Sequence, residues 1–226
     1  MINRGVRSDV ITIVPNAVDP HLFVPRERDR ELERQLGVEE ACVIGFVGTL
    51  THYEGLDDLL RAGARLKHDS STPLKYLFVG DGPATLDLVS LAEELGLASD
   101  VCFTGRVSPR DVHRYLSVID ITPFPRKPFP VTELVSPLKP LESMASGIPV
   151  IVSDVAALRE MVPEGAGLIF EKGNLESLTT ELGGLIDDPT LRRELSSNAR
   201  EWVLEHRTWE AVSRPLAEVY EALTGQ

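Results

Sequence analysis

The sequence predicts a doubly wound α/β fold, a parallel sheet of about six strands with helices on both faces. From Val38 onward, short apolar runs rich in β-branched residues alternate with longer stretches of helical periodicity, which is the pattern of βα units.

The elements follow in order. CVIGFVG (42–48) precedes the helical GLDDLLRAGARLKHD, and LKYLFVG (74–80) precedes ATLDLVSLAEELG. VCFTG (101–105) leads into SPRDVHRYLSV, and IDITPF (119–124) leads into a polar, proline-punctuated loop and a short helix. PVIVS (149–153) is followed by AALREMV, and GLIFE (167–171) by NLESLTTELGGLIDD and PTLRRELSSNAREWVLEHR. This order implies a Rossmann-like sheet with right-handed crossovers. Residues 1–37 contain a predicted strand, VITIVPNAVD, and a proline-bounded connector, and read as an interdomain linker preceded by something upstream. Residues 38–207 form the expected domain. Residues 208–226 form a C-terminal helix whose stripe of Val212, Leu216, Val219, Tyr220 and Leu223 needs a covering surface, here or on an absent N-terminal domain.

Composition narrows the function. Acidic residues outnumber basic ones 35 to 23, for a net charge of -12. That balance argues against nucleic acid or an anionic membrane as a general partner, since both need a basic face. No apolar run approaches the roughly 20 residues that span a bilayer, and the N-terminus lacks the apolar core of a signal peptide; a cytoplasmic location is expected. Cys42 and Cys102 lie at the mouths of apolar runs and read as buried thiols. The five histidines show no metal-ligand spacing, and there is no Walker lysine or nucleophile elbow. Trp202 and Trp209 read as packing anchors.

Ligands of open parallel sheets bind beyond the carboxyl ends of the strands, which directs attention to GTLTHYEG, to Gly105 and Arg106, and to the stretch from Pro125 to Lys139. The richest segment is TELVSPLKPLESMASGIPVIVSD (132–154). Pro140 suits a first helical turn, Glu142 then falls near the helix start, and Gly147 with Pro149 supplies the stop. Leu141, Met144 and Ala145 are free to face the sheet, while Arg126, Lys127 and Lys139 bracket the helix start. Two roles are open to Glu142: complementing the helix dipole, worth about 0.3–1 kcal/mol, or accepting hydrogen bonds from the two hydroxyls of a ribose.

VPNAVD, GFVGTLTHYEGLDDLLRA, LFVGDGP, LGLASDVCFTGRVSPRDVHRYLSVIDITPFP, SPLKPLESMASGIPVIVSDVAALREMV and GLIFEKGN, in this order and spacing, resemble the C-terminal, donor-binding domain of family-four retaining glycosyltransferases. The resemblance implies one half of a GT-B fold. The enzyme would transfer sugar with retention from a nucleotide diphosphate sugar, a UDP- or GDP-sugar, to a glycan, lipid-linked or small-molecule acceptor, with no metal and no other cofactor. The acceptor would bind through the absent N-terminal domain, which would also carry any peripheral membrane association, and the present chain alone is expected to be inactive.

Carried over by residue, the resemblance makes Glu142 the ribose acceptor and Lys139 the catalytic cation that replaces a missing pair. Where the family has an arginine and a lysine, this chain has Thr49 and Glu54. The family's first glutamate falls on Leu134, eight positions before Glu142. Either Glu133 substitutes as the catalytic acid, or the backbone around Val135, Ser136 and Leu138 holds the donor sugar alone. Gly48 and Thr49 would approach the donor, and Arg106 and Val107 would pack on the base. The other readings are a non-catalytic, regulatory nucleotide-binding domain and half of a nucleotide-sugar epimerase.

Overall fold

The structure is a computed structural model that describes residues 5–68 and 70–224. Six strands lie in parallel: β1 Cys42–Val47, β2 Leu74–Val79, β3 Val101–Gly105, β4 Thr122–Phe124, β5 Val150–Ser153 and β6 Leu168–Phe170. They form two three-stranded sheets. β1 pairs with β2, with Cys42 opposite Leu74 and Val47 opposite Val79, and β2 pairs with β3; β5 pairs with β4 on one side and β6 on the other. Between them β1 meets β4 at a bridge from Ile44 to Ile121, where the Gly45 N–H donates to the Ile121 carbonyl (2.9 Å) and the Asp120 N–H to the Val43 carbonyl (2.8 Å). Asp120 adds a side-chain tie, accepting from the Val43 N–H at 2.8 Å and from Arg28 at 2.6 Å. The spatial order is therefore 3-2-1-4-5-6, and the winding reverses between β1 and β4. That reversal opens a crevice at the carboxyl ends of these two strands.

Alternate residues of β1 and β2 enter two different cores. Ile44, Phe46, Tyr76 and Phe78 join the larger one, with Leu59 and Leu60 of α2 (Leu56–Leu66), Leu88 of α3 (Thr85–Glu94) and Leu178, Leu182 and Leu185 of α8 (Leu175–Asp187). Val43, Leu77 and Val79 face the other way, against Leu32 of α1 (Arg30–Leu36) and Leu116 of α4 (Val112–Leu116). Burial on both faces accounts for the unbroken apolar runs.

Residues 130–145 hold two helices where one was expected. α5 (Pro130–Leu134) forms because Pro130 starts it and the Thr132 hydroxyl accepts the Phe129 N–H at 3.0 Å. α6 (Lys139–Ala145) follows, with Pro140 in its first turn and Gly147 left-handed (φ +73°) after its end. Its Leu141, Met144 and Ala145 are fully buried. α7 (Ala156–Arg159) and α9 (Pro189–His206) complete the layer. The expected AALREMV helix is only one turn long, Ala156–Arg159.

Other expectations need correction. VITIVPNAVD is not a strand: Val18 alone bridges, to Thr208, and Ile13 stands in solvent, with no strand among the described residues paired to it. Cys42 is buried, but Cys102, on the outer strand β3, is only half-buried. Trp202 packs on the larger core and stacks on His206, whereas Trp209 is exposed at the start of α10 (Trp209–Thr224). Within the α10 stripe Val212 is buried and Leu216, Tyr220 and Leu223 are exposed among the described residues.

Gly55 joins the two halves. It is left-handed (φ +73°), and a Cβ built on it would lie 1.8 Å from the Pro125 carbonyl oxygen. Replacing Gly55 with alanine is expected to cost more than about 2 kcal/mol and so to lower the melting temperature by roughly 4–8 °C, measured by circular dichroism at pH 7.

Candidate functional site

The site is built where β1 and β4 end. Past β1 the chain turns at Gly48 and runs through Thr49 to a 3-10 turn, His52–Glu54. Past β4 it continues as Pro125, Arg126 and Lys127, and the Lys127 N–H donates to the Tyr53 carbonyl at 3.0 Å, so the two loops are stitched together. Glu54 and Arg126 are 1% and 6% exposed. The guanidinium grips the carboxylate with two bonds, Nε to Oε2 and Nη2 to Oε1, both 3.1 Å. Its Nη1 donates to the Val135 carbonyl at 3.1 Å, and the Arg126 carbonyl accepts from the buried Ser153 hydroxyl at 2.7 Å.

Lys139, at the start of α6, completes the cluster with its Nζ 2.6 Å from Glu54 Oε1 and 4.9 Å from the centre of the Phe46 ring. Its stem lies directly on Gly48, where a Cβ would be 2.3 Å from the lysine Cε. Only glycine allows this approach. Burial pushes the Glu54 carboxyl up, but Arg126 and Lys139 outweigh it and hold the group below the ordinary carboxylate range. Glu54, which the sequence presents only as an acid where a lysine is expected, is the hub of the site. The one signal for it was an acid just before a glycine at a strand-to-helix turn.

Beside this cluster, beyond β1, β2 and β3, a cleft of about 440 Å³ is lined by Gly48, Thr49, Gly82, Arg106 and Val107. Arg106 reaches outward, 3.8 Å from the Asp81 carboxylate, while Val107 packs against the smaller core. His52 also points to solvent, 3.8 Å from Asp87.

Glu142 lies three residues after Lys139, on the same helix face. It is half-buried, and no side-chain hydrogen bond to it is found among the described residues. Desolvation raises its pKa, partly offset by the Lys139 charge. The Ser136 and Leu138 amides find no acceptor among the described residues. The Ser136 carbonyl accepts from Asn16 at 2.8 Å, and Leu134 and Leu138 are exposed. Glu133 is engaged: its carboxylate accepts the Ala156 N–H at 2.8 Å and the Lys172 ammonium at 2.5 Å. Those two contacts hold its pKa below the ordinary range. Among the described residues no group of three His, Cys, Asp or Glu side chains is arranged to hold a metal, and no helix is long and apolar enough to cross a membrane.

Residues 28–202 match the family model described as glycosyl transferases group 1. The chain is 31% identical over 207 residues to 2-deoxystreptamine glucosyltransferase of Streptomyces kanamyceticus, covering 89% of this chain and 51% of that protein. It is 30% identical over 221 residues to MMP alpha-(1->4)-mannosyltransferase of Mycolicibacterium hassiacum, covering 96% and 49%. The chain thus spans about half the length of the curated relatives it matches. Among solved structures, Alr3699/HepE of Anabaena in complex with UDP-glucose superposes with a TM-score of 0.84 at 22% identity, covering 98% of this chain and 60% of that one. That likeness concerns the fold.

The raised pKa of Glu142 has a stability consequence. The folded state binds this proton more tightly than the unfolded state, so the contribution worsens as pH rises through the folded pKa. Replacing Glu142 with glutamine is expected to raise the melting temperature of the ligand-free protein at pH 7 by about 1–2 °C, with the gain vanishing near pH 4. Thermal unfolding at both pH values checks it.

Proposed function

The chain belongs to the group 1 glycosyl transferases, and from that premise we propose that it is the donor-binding half of an enzyme that transfers sugar, with retention, from a nucleotide diphosphate sugar. The observation that carries this reading is the pairing, on one short helix, of a partly exposed lysine with a half-buried carboxylate that lacks a hydrogen-bond partner among the described residues. An ammonium suits a diphosphate. A desolvated carboxylate suits a vicinal diol, which donates two hydrogen bonds and carries no opposing charge.

In this reading Lys139 meets the diphosphate, Glu142 holds the ribose, and Gly48 and Thr49 let the backbone approach the donor. Arg106 and Val107, at the far wall of the cleft, contact the base. Of the two roles for the donor-sugar loop we favour the backbone one: the Ser136 and Leu138 amides are unengaged, whereas Glu133 is committed to Ala156 and Lys172 and serves to fix α5 against α7. Catalysis by this half is stabilisation of the leaving diphosphate: Lys139 absorbs charge as the glycosidic bond breaks, with no metal or other cofactor required. The donor is a UDP- or GDP-sugar, and the acceptor, a glycan, lipid-linked or small molecule, is bound by a second domain, in the cytoplasm or at its membrane face.

A thermal-shift panel of UDP, GDP, ADP and their sugars tests the reading: one nucleotide diphosphate should raise the melting temperature, and no response to any of them sinks it. Calorimetry with that nucleotide refines it. Glu142→Ala is expected to weaken binding about tenfold or more, as loss of bonds to a charged acceptor does. Lys139→Gln should weaken the diphosphate and leave the parent nucleoside unchanged.

A further inference from the structure

Glu54 is a charged group at the centre of the site to which the donor reading gives no work. Its two cations are not equivalent. Arg126 is buried, already donates through Nε, Nη1 and Nη2 to Glu54 and Val135, and has Tyr53 against it, 5.9 Å from guanidinium carbon to ring centre. It cancels the charge of Glu54 and has little left for a ligand. Lys139 keeps 23% of its side chain in solvent and makes one ion contact, to Glu54 Oε1. Three formal charges sum to one positive charge, carried by the only member that reaches the surface.

A lysine ordinarily swings a compact charge on a flexible four-carbon stem and loses that freedom when it binds an anion. Here the freedom is already gone. The stem rests on Gly48, the ammonium lies over the Phe46 ring, and the head is tied to a carboxylate that does not move because Arg126 grips both its oxygens. Without Arg126 the Glu54–Lys139 pair would be neutral and would offer an anion nothing; without Glu54, Lys139 would be an ordinary surface lysine.

We propose that Glu54 is a positioning residue that, neutralised by Arg126, holds the Lys139 ammonium at the carboxyl end of β1 ready for the donor's diphosphate. This rests on the donor-binding reading above, and it gives that site a carboxylate as the device that organises its cation.

Inorganic pyrophosphate is the probe, because it tests the anion contact without a base or sugar. Calorimetry compares the 226-residue chain with Glu54→Gln, Lys139→Gln and the double variant. Each single change is expected to weaken pyrophosphate about tenfold, and the double variant should be no weaker than Lys139→Gln alone, because Glu54 acts only through the lysine. Glu54→Asp guards against simple unfolding. It keeps the charge that neutralises Arg126 but withdraws it by one methylene, so it should keep a near-normal melting temperature and still lose affinity several-fold. Losses that add in the double variant, Glu54 variants that bind as the parent does, or tighter binding by Glu54→Gln would each overturn the positioning role while leaving the donor site intact. If the parent and Lys139→Gln bind pyrophosphate equally, or neither binds, the donor reading itself fails and this proposal with it.

Discussion

The carboxyl edge of the sheet depends on one buried carboxylate being outnumbered. An ionised glutamate excluded from water carries a desolvation cost of several kcal/mol unless well-placed cations answer it. Glu54 is answered twice, by a bidentate guanidinium and by an ammonium, and its lowered pKa shows that attraction exceeds desolvation. Because the three charges come from the loop after β1, the loop after β4 and the start of α6, satisfying Glu54 fixes the β1 loop against two segments 72 and 85 residues further along the chain. Breaking the cluster would strand a charge in the core, so these loops are held by electrostatic necessity as well as by packing.

The cluster occurs there because of the winding. β1 and β4 are neighbours that send their following helices in opposite directions along the sheet, so no crossover covers the gap at their carboxyl ends. The join itself is spare: one bridge at Ile44 and Ile121, the Asp120 ties to Val43, and the stitch from Lys127 to Tyr53. A polar loop entering such a gap must bring partners for its own charges, and Glu54 with Arg126 does so. Gly55 and Gly48 make the fit geometrically feasible, the first by letting the Pro125 carbonyl sit against its α-carbon, the second by giving the Lys139 stem a floor.

This division explains what was readable in the sequence. The central strands β1, β2 and β5 were legible because burial on both faces leaves a local mark, a short run apolar at most positions, and β3, β4 and β6 because they alternate with helical stretches. α6 was legible because Pro140 and Gly147 punctuate it, and the buried Leu141, Met144 and Ala145 follow from helical spacing. The hub was not, since Glu54 and Arg126 are 72 residues apart and nothing in either neighbourhood names the other. α5 was missed for a related reason: five residues give too little periodicity, and its stability comes from Thr132 folding back onto Lys127 and Phe129. The Ile11–Val14 run misled because β propensity alone does not supply a neighbouring strand.

Charge at two scales explains the selectivity such a site can have. With a net charge of -12, the molecule's long-range field repels anions, so an anion is held only where a fixed cation answers it at contact, as Lys139 does. Glu142, a desolvated carboxylate one helical turn away, sharpens the exclusion: a second anion placed against it would meet like charge in a poorly hydrated setting. The same carboxylate welcomes neutral hydroxyl donors. The pair therefore holds a ligand that carries its negative charge at one end and a diol a few bonds away more tightly than a ligand with only one of these. That requirement follows from the order Lys139, then Glu142, on a single helix face held in place from behind by Glu54.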